Sequence, residues 1–341
     1  MTTPFIDSGK DPVLATYSRL KARRISVLAI SLLVLAGSVI LDIATGPAFL
    51  NVHAVARSII GLAEDRTVDV IVWTIRLPIA CMAVAVGIAL GLTGAIMQTI
   101  LNNPLASSYT LGVSAGAGFG AALVIVIGVY LPLSEQWAIP VSAFLFAGLA
   151  CTGVWLIGSL RGSTPEMLVL GGIALLFLFQ ALLSLLQFVA SPEALQQIVF
   201  WLFGSLQKST WTKLFIVIAV IIAATPILIK DVWHLTALKL GDERARGLGI
   251  KTKSVRVRSF LIVSALTGVA VAFVGTIGFV GLVAPHIARI FVGEDQRALL
   301  PASAIFGALL LSLASVSSKT IMPGAIFPIG IVTALIGVPF F

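Results

Sequence analysis

VIVWTIRLPIACMAVAVGIALGLTGAIMQTIL, residues 70–101, is one apolar run broken by a single charge, Arg76. A helix needs roughly 20 apolar residues to cross the hydrocarbon of a bilayer, and this run exceeds that length. Gly87 and Gly91 stand at i, i+4 within it. Such small-residue pairs let helix backbones approach closely in lipid.

The rest of the chain repeats the pattern. Of 341 residues, 59% are hydrophobic and 11% charged, and the mean hydropathy is +1.10. A soluble domain carries roughly 25% charged residues, and this much apolar surface cannot be hidden inside one soluble core. Further apolar runs predict spans over 25–44, 111–131, 138–160, 167–189, 198–229 (kinked near Pro226), 260–277, 279–292, 299–320 and 327–341. The expected fold is all-α, a polytopic bundle of about ten transmembrane helices. It reads as a leader over 1–24 followed by one transmembrane domain over 25–341. The leader has no signal pattern, so its first span is expected to be retained. Gly112 with Gly116, and Gly116 with Gly120, add further close-packing pairs.

The net charge of +8 is read as loop charge and not as a nucleic-acid surface. Excess Lys and Arg marks cytoplasmic segments. Lys10, Arg19, Lys21, Arg23 and Arg24 crowd the leader, and Lys230, Lys239, Arg244, Arg246, Lys251, Lys253, Arg256 and Arg258 crowd 230–259. An even number of expected spans separates the two, so both fall on the cytoplasmic side, with the N-terminus. Arg76 and Lys319 then fall near the outer face.

Almost no ionisable side chain is expected inside a span. Ion-coupled carriers use intramembrane Asp, Glu or His as relays, and a hydrolase needs a base with a nucleophile or a metal set. This argues against both classes, and no catalytic residue is assigned. His53, His234 and His286 are scattered, so no metal site is assigned either, and Cys81 and Cys151 in apolar runs read as free thiols. His286 and Arg289 read as supports of a cytoplasmic helix end. Energy must then come from outside the membrane domain. Residues 238–250 read as a short capped helix, with Asp242 at the N-cap and Gly247 or Gly249 in the left-handed C-terminal position. Such a helix is too short to stand alone; it is either a solvated connector or a docking element for a soluble motor.

Two further features stand out. Gln180, Ser184 and Gln187 are the polar residues of an otherwise apolar span, at i, i+4, i+7 and hence on one face. They serve either interhelical hydrogen bonding or a wet pathway, and the length of the stripe favours the pathway. The turn Gly162-Ser163-Thr164-Pro165 places Pro165 in a first helical turn with Thr164 able to cap it.

At this point the sequence resembles the FecCD permeases, the BtuC-like membrane subunits of type II ABC importers. The motifs run in family order: Arg76-Leu77-Pro78; Gly94-x3-Gln98 with Asn103-Pro104-Leu105-Ala106; Leu111-Gly112-Val113-Ser114; Trp201-Leu202-Phe203-Gly204-Ser205; the 238–250 helix; Gly275-Thr276-Ile277-Gly278-Phe279 through Pro285-His286 and Arg289; and Pro328-Ile329-Gly330. Ile79, Ser315 and Ile326 depart from the family pattern.

The resemblance implies a subunit in the bacterial inner membrane that translocates a metal chelate, with a ferric siderophore expected and haem or cobalamin as alternatives. An ion-coupled secondary transporter is the competing class. The implied partners are a second permease subunit (the same chain or a close paralogue), two cytoplasmic ABC ATPases, a periplasmic or lipid-anchored binding protein and the lipid bilayer, with no nucleic acid. No cofactor is expected on this chain, ATP and magnesium being held by the ATPase. By resemblance, Gly241, Asp242, Glu243, Arg244, Ala245, Leu248 and Gly249 contact the ATPase; Arg76 and Lys319 receive the binding protein; and Ser163, Thr164 and Pro165 form a cytoplasmic gate.

Overall fold

The computed structural model describes residues 12–46, 49–128, 134–160, 164–322 and 325–340. Ser163, expected in the gate, and the first part of the leader, 1–11, lie outside the described residues. The elements are α1 (Pro12–Ala44), α2 (Val52–Ile59), α3 (Arg66–Ile71), a π-helical turn (Val72–Arg76), α4 (Leu77–Ile100), α5 (Val113–Ile127), α6 (Glu135–Leu160), α7 (Pro165–Val189), α8 (Pro192–Leu202), α9 (Trp211–Leu238), α10 (Asp242–Gly247), α11 (Thr252–Val274), α12 (Val280–Val292), α13 (Gln296–Thr320) and α14 (Ile329–Gly337), closed by a 3-10 turn (Val338–Phe340). Among the described residues, seven helices are long and apolar enough to cross a membrane, and Val113–Ile127, Val280–Val292 and Ile329–Phe340 are shorter apolar helices. The expected all-α transmembrane bundle is present.

Local chemistry explains most boundaries. Thr164 caps α7 by accepting from Met167 N–H, with Pro165 at the first position, where a missing N–H does no harm. Ser191, Thr210 and Asp295 cap α8, α9 and α13 in the same way.

Three boundaries differ from the sequence reading. The run 198–229 is not one span: it divides into α8 and α9 at Gly204, whose φ of +72 suits glycine. Helix α9 passes through Pro226 and continues to Leu238, so part of the basic stretch 230–259 is helix. Helix α1 starts at Pro12, so the described leader residues extend the first helix.

Helix α4 is the centre of the bundle, buried along nearly its whole length, whereas α7 and α9 bury only a few residues each and are peripheral. Glycine makes the central packing possible. A Cβ on Gly87 would lie 2.4 Å from Gly307 O, one on Gly91 2.1 Å from Ser303 O, and one on Gly94 1.8 Å from Gly281 O. Helices α13 and α12 therefore meet α4 backbone to backbone. Gly116 and Gly120 do the same for α5 against Phe146 and Ser142 of α6.

Candidate functional site

One end of the bundle gathers the basic segments. Arg24 of α1 pairs with Asp295 at 3.3 Å, and Lys239 after α9 pairs with Glu294 at 3.3 Å. The leader, the α9–α11 connection and the α12–α13 connection therefore share one end, as the charge pattern requires. Asp295 also meets Arg297 at 2.7 Å, and hydrogen bonds from Arg297, with Arg24 nearby, hold its carboxyl below the usual range. Arg289 pairs with Glu294 at 2.8 Å and donates to Gln98 Oε1 at 2.9 Å, as expected of a group that supports a helix end.

Helix α10 lies at this end. Its N-cap is Gly241, at φ +95, and not Asp242. Asp242 is instead the first helical residue, and its carboxylate accepts both Nη groups of Arg256, at 2.7 and 2.6 Å. Gly249 takes the left-handed position after the helix, at φ +79. Glu243, Arg244, Gly247, Leu248 and Gly249 are exposed, Gly241 and Asp242 are half-buried, and Ala245 is 0% exposed and part of the core. Ala245 therefore anchors the helix from below and does not face outward.

The opposite end holds a second charged cluster. Lys319, in the last turn of α13, lies 2.7 Å from Asp42 Oδ1 and 2.9 Å from Asp42 O of α1. Arg76, closing the π-helical turn, donates to Thr45 O just beyond α1. Both cations are buried, at 6% for Arg76 and 8% for Lys319, and face α1 and not the surface. The sequence reading missed Asp42, which lies inside the first expected span. A lone acid in a membrane helix is a signal for a buried partner.

Near the same end, three quoted motifs meet. Ser205 N–H donates to Val274 O at 2.7 Å, Gly330 N–H donates to Phe203 O at 3.0 Å, and Thr276 Oγ1 donates to Leu202 O. A Cβ on Gly330 would lie 2.4 Å from Phe203 O and 2.9 Å from Thr276 O. These motifs are a backbone joint tying α8, the α11–α12 connection and α14 together.

On α7, Gln180 and Ser184 are exposed and Gln187 is half-buried, beside Phe177, Leu185 and Phe188. The stripe shares a face that this chain leaves open. Thr164 is exposed and Pro165 half-buried at the other end of α7. Cys81 and Cys151 are free thiols.

The chain as a whole is similar to known proteins. The FecCD transport family matches residues 32–341. The chain is 36% identical to the Fe(3+)-citrate import system permease protein YfmE of Bacillus subtilis over 317 residues, covering 93% of this chain and 92% of that one. It is 35% identical to the hemin transport system permease protein HmuU of Yersinia pestis, covering 85% and 88%. A solved ABC transporter assigned to the metal-chelate type, in an inward-facing conformation, superposes with a TM-score of 0.83 at 32% identity, covering 93% of this chain and 97% of that one. With the family matched over residues 32–341 and relatives covered along most of their length, the chain belongs to the FecCD transport family and is a membrane-spanning ABC permease.

Proposed function

We propose that this chain translocates a ferric chelate across a bacterial inner membrane as the permease subunit of an ATP-driven importer, with its N-terminus in the cytoplasm. Two copies of the chain, or the chain and a close paralogue, form the pathway. Two ABC ATPases, holding ATP and magnesium, dock on the basic end, and a binding protein delivers substrate to the other. The observation that carries the reading is α10: a short helix, anchored to the core, that presents Glu243, Arg244 and Leu248 outward at the basic end. A ferric siderophore is the favoured cargo, because relatives include ferric citrate and Fe(3+)-hydroxamate import permeases. A hemin permease among them keeps haem as the next candidate. The gate reading of Thr164 and Pro165 and the pathway reading of Gln180, Ser184 and Gln187 belong to the same proposal. Docking of the binding protein on Arg76 and Lys319 is not retained, since both side chains are buried against α1.

The test is reconstitution of the chain in proteoliposomes with its ATPase and binding protein, and uptake of ferric hydroxamate, ferric citrate, hemin and cobalamin. ATP-dependent uptake of a ferric chelate without an imposed ion gradient is expected. Uptake that follows a proton or sodium gradient and ignores ATP would overturn the proposal.

A further inference from the structure

We infer that Arg256 is the positioning residue that joins the coupling helix α10 to the inner end of the central helix α4, an inference that rests on the importer reading above.

Arg256 is 5% exposed, and its guanidinium serves two elements at once. Both Nη groups donate to the Asp242 carboxylate, at 2.7 and 2.6 Å, and Nε donates to Ile100 O at 3.2 Å. Ile100 is the last residue of α4, where carbonyls lack partners in the helix itself. A planar guanidinium can hold a carboxylate on one edge and a carbonyl on the other; an ammonium lacks that fixed fork.

Helix α10, Asp242–Gly247, is too short to hold its own shape. Its direction is set by two anchors one turn apart, Asp242 on Arg256 and Ala245 in the core. Its exposed face, Glu243, Arg244 and Leu248, is where a partner can push. A push there reaches α4 through the Asp242–Arg256–Ile100 chain, while Ala245 seats the helix in the core. Helix α4 in turn meets α13 and α12 at backbone contact, so displacement of its inner end is passed on and not absorbed by side chains. The second grip on this end, Arg289 on Gln98 Oε1 at 2.9 Å, comes from α12. Arg256 bonds α4 and the coupling helix directly and at once.

The experiment uses the full reconstituted importer and reads substrate transported per ATP hydrolysed. Arg256→Gln is expected to lower that ratio at least tenfold while the ATPase still co-purifies. A swapped pair, D242R with R256D, rebuilds the ion pair but leaves residue 256 without a donor for Ile100 O, so the ratio is expected to stay low; full rescue by the swap would overturn the link to α4. A purely structural role would lower assembly, hydrolysis and uptake together and leave the ratio unchanged. If Arg256→Gln fails to assemble, Arg256→Lys carries the test: it keeps the charge and loses the fork, and a ratio equal to wild type overturns the inference. Absence of ATP-dependent uptake in the wild-type complex would instead overturn the importer reading.

Discussion

Lys319 Nζ lies 2.7 Å from Asp42 Oδ1, so the last turn of α13 is ion-paired to the last turn of α1, with 3% and 0% of the two side chains exposed. The second carboxylate oxygen, Oδ2, has no hydrogen-bond partner among the described residues. With Ser38 and Ser312 sharing a hydrogen bond of 2.8 Å and Arg24 held by Asp295, α1 is fastened to α13 and its leading loop at both ends. Removing one partner of a buried pair leaves the other charge uncompensated, which costs about 3–5 kcal/mol. Lys319→Met should therefore lower thermal stability in detergent more than the double variant with Asp42→Leu. If the single and double variants unfold together, the pair is not what holds α1.

The α4–α13 contact predicts a sharp contrast between glycines. A Cβ on Gly91 would sit 2.1 Å from a backbone oxygen, whereas one on Gly37 of α1 has nothing within 4 Å. Gly91→Ala should destabilise by about 1–3 kcal/mol through overpacking. Gly37→Ala should stabilise α1 by up to about 1 kcal/mol through helix propensity. Thermal denaturation followed by size-exclusion chromatography ranks the two, and a reversed order contradicts the close approach.

Exposure separates two roles within α10. Leu248, 65% exposed, should matter only for the partner: Leu248→Asp is expected to leave permease stability within about 0.5 kcal/mol and to weaken ATPase association in pull-down. Ala245→Trp forces a large side chain into a site with 0% exposure and should unfold or displace α10 even with no ATPase present. Equal stability of Ala245→Trp and wild type in isolation would show that the site yields.

Cysteines placed at Gln180, Ser184 and Gln187 test the open face of α7. Replacement one at a time, followed by a membrane-impermeant thiol reagent, should label Gln187 and Ser184 in at least one nucleotide state of the assembled importer. Cysteine at Phe188, 87% exposed on the same helix, supplies the comparison. Protection of all three polar positions in every state leaves them a packing role only.

Asp295 sets a pH dependence. Its carboxyl is held below the usual range by Arg297, so its contribution to stability is complete above the unfolded value of about 3.9 and is lost as pH falls through the lower folded value. Asn is an equally good N-cap, so Asp295→Asn removes the charge and keeps the cap. The difference in melting temperature between wild type and Asp295→Asn should be present near neutral pH and vanish under acid conditions. A difference that stays constant with pH assigns the effect to shape and not to charge.

Much of this was legible in the residues. Apolar runs predict the helices, because lipid demands uninterrupted apolar length, and Thr164 before Pro165 marks the start of α7 through a cap that involves only its neighbours. The glycine pairs of α4 and α5 foretell backbone contact. The break at Gly204 was harder to see, since it lies between two apolar stretches and hydropathy averages across it.

What the chain determines alone is therefore what depends on adjacent residues: the apolar spans, the cap of α7, the shared end of the basic segments and the presence of a short helix within 238–250; the N-cap at Gly241 in place of Asp242, and Gly249 in place of Gly247, came with the structure. Tertiary structure decides where a charge at a helix end points. Arg76 and Lys319 read equally well as surface cations or buried ones. Lys319 turns inward because Asp42, 277 positions away, offers it a carboxylate in a setting where lipid offers none. Arg256 likewise acquires its place only when α4 brings the Ile100 carbonyl to it across 156 positions. Hydropathy and capping act over one or two turns, whereas the burial of a charge is set by whichever helix comes to lie beside it.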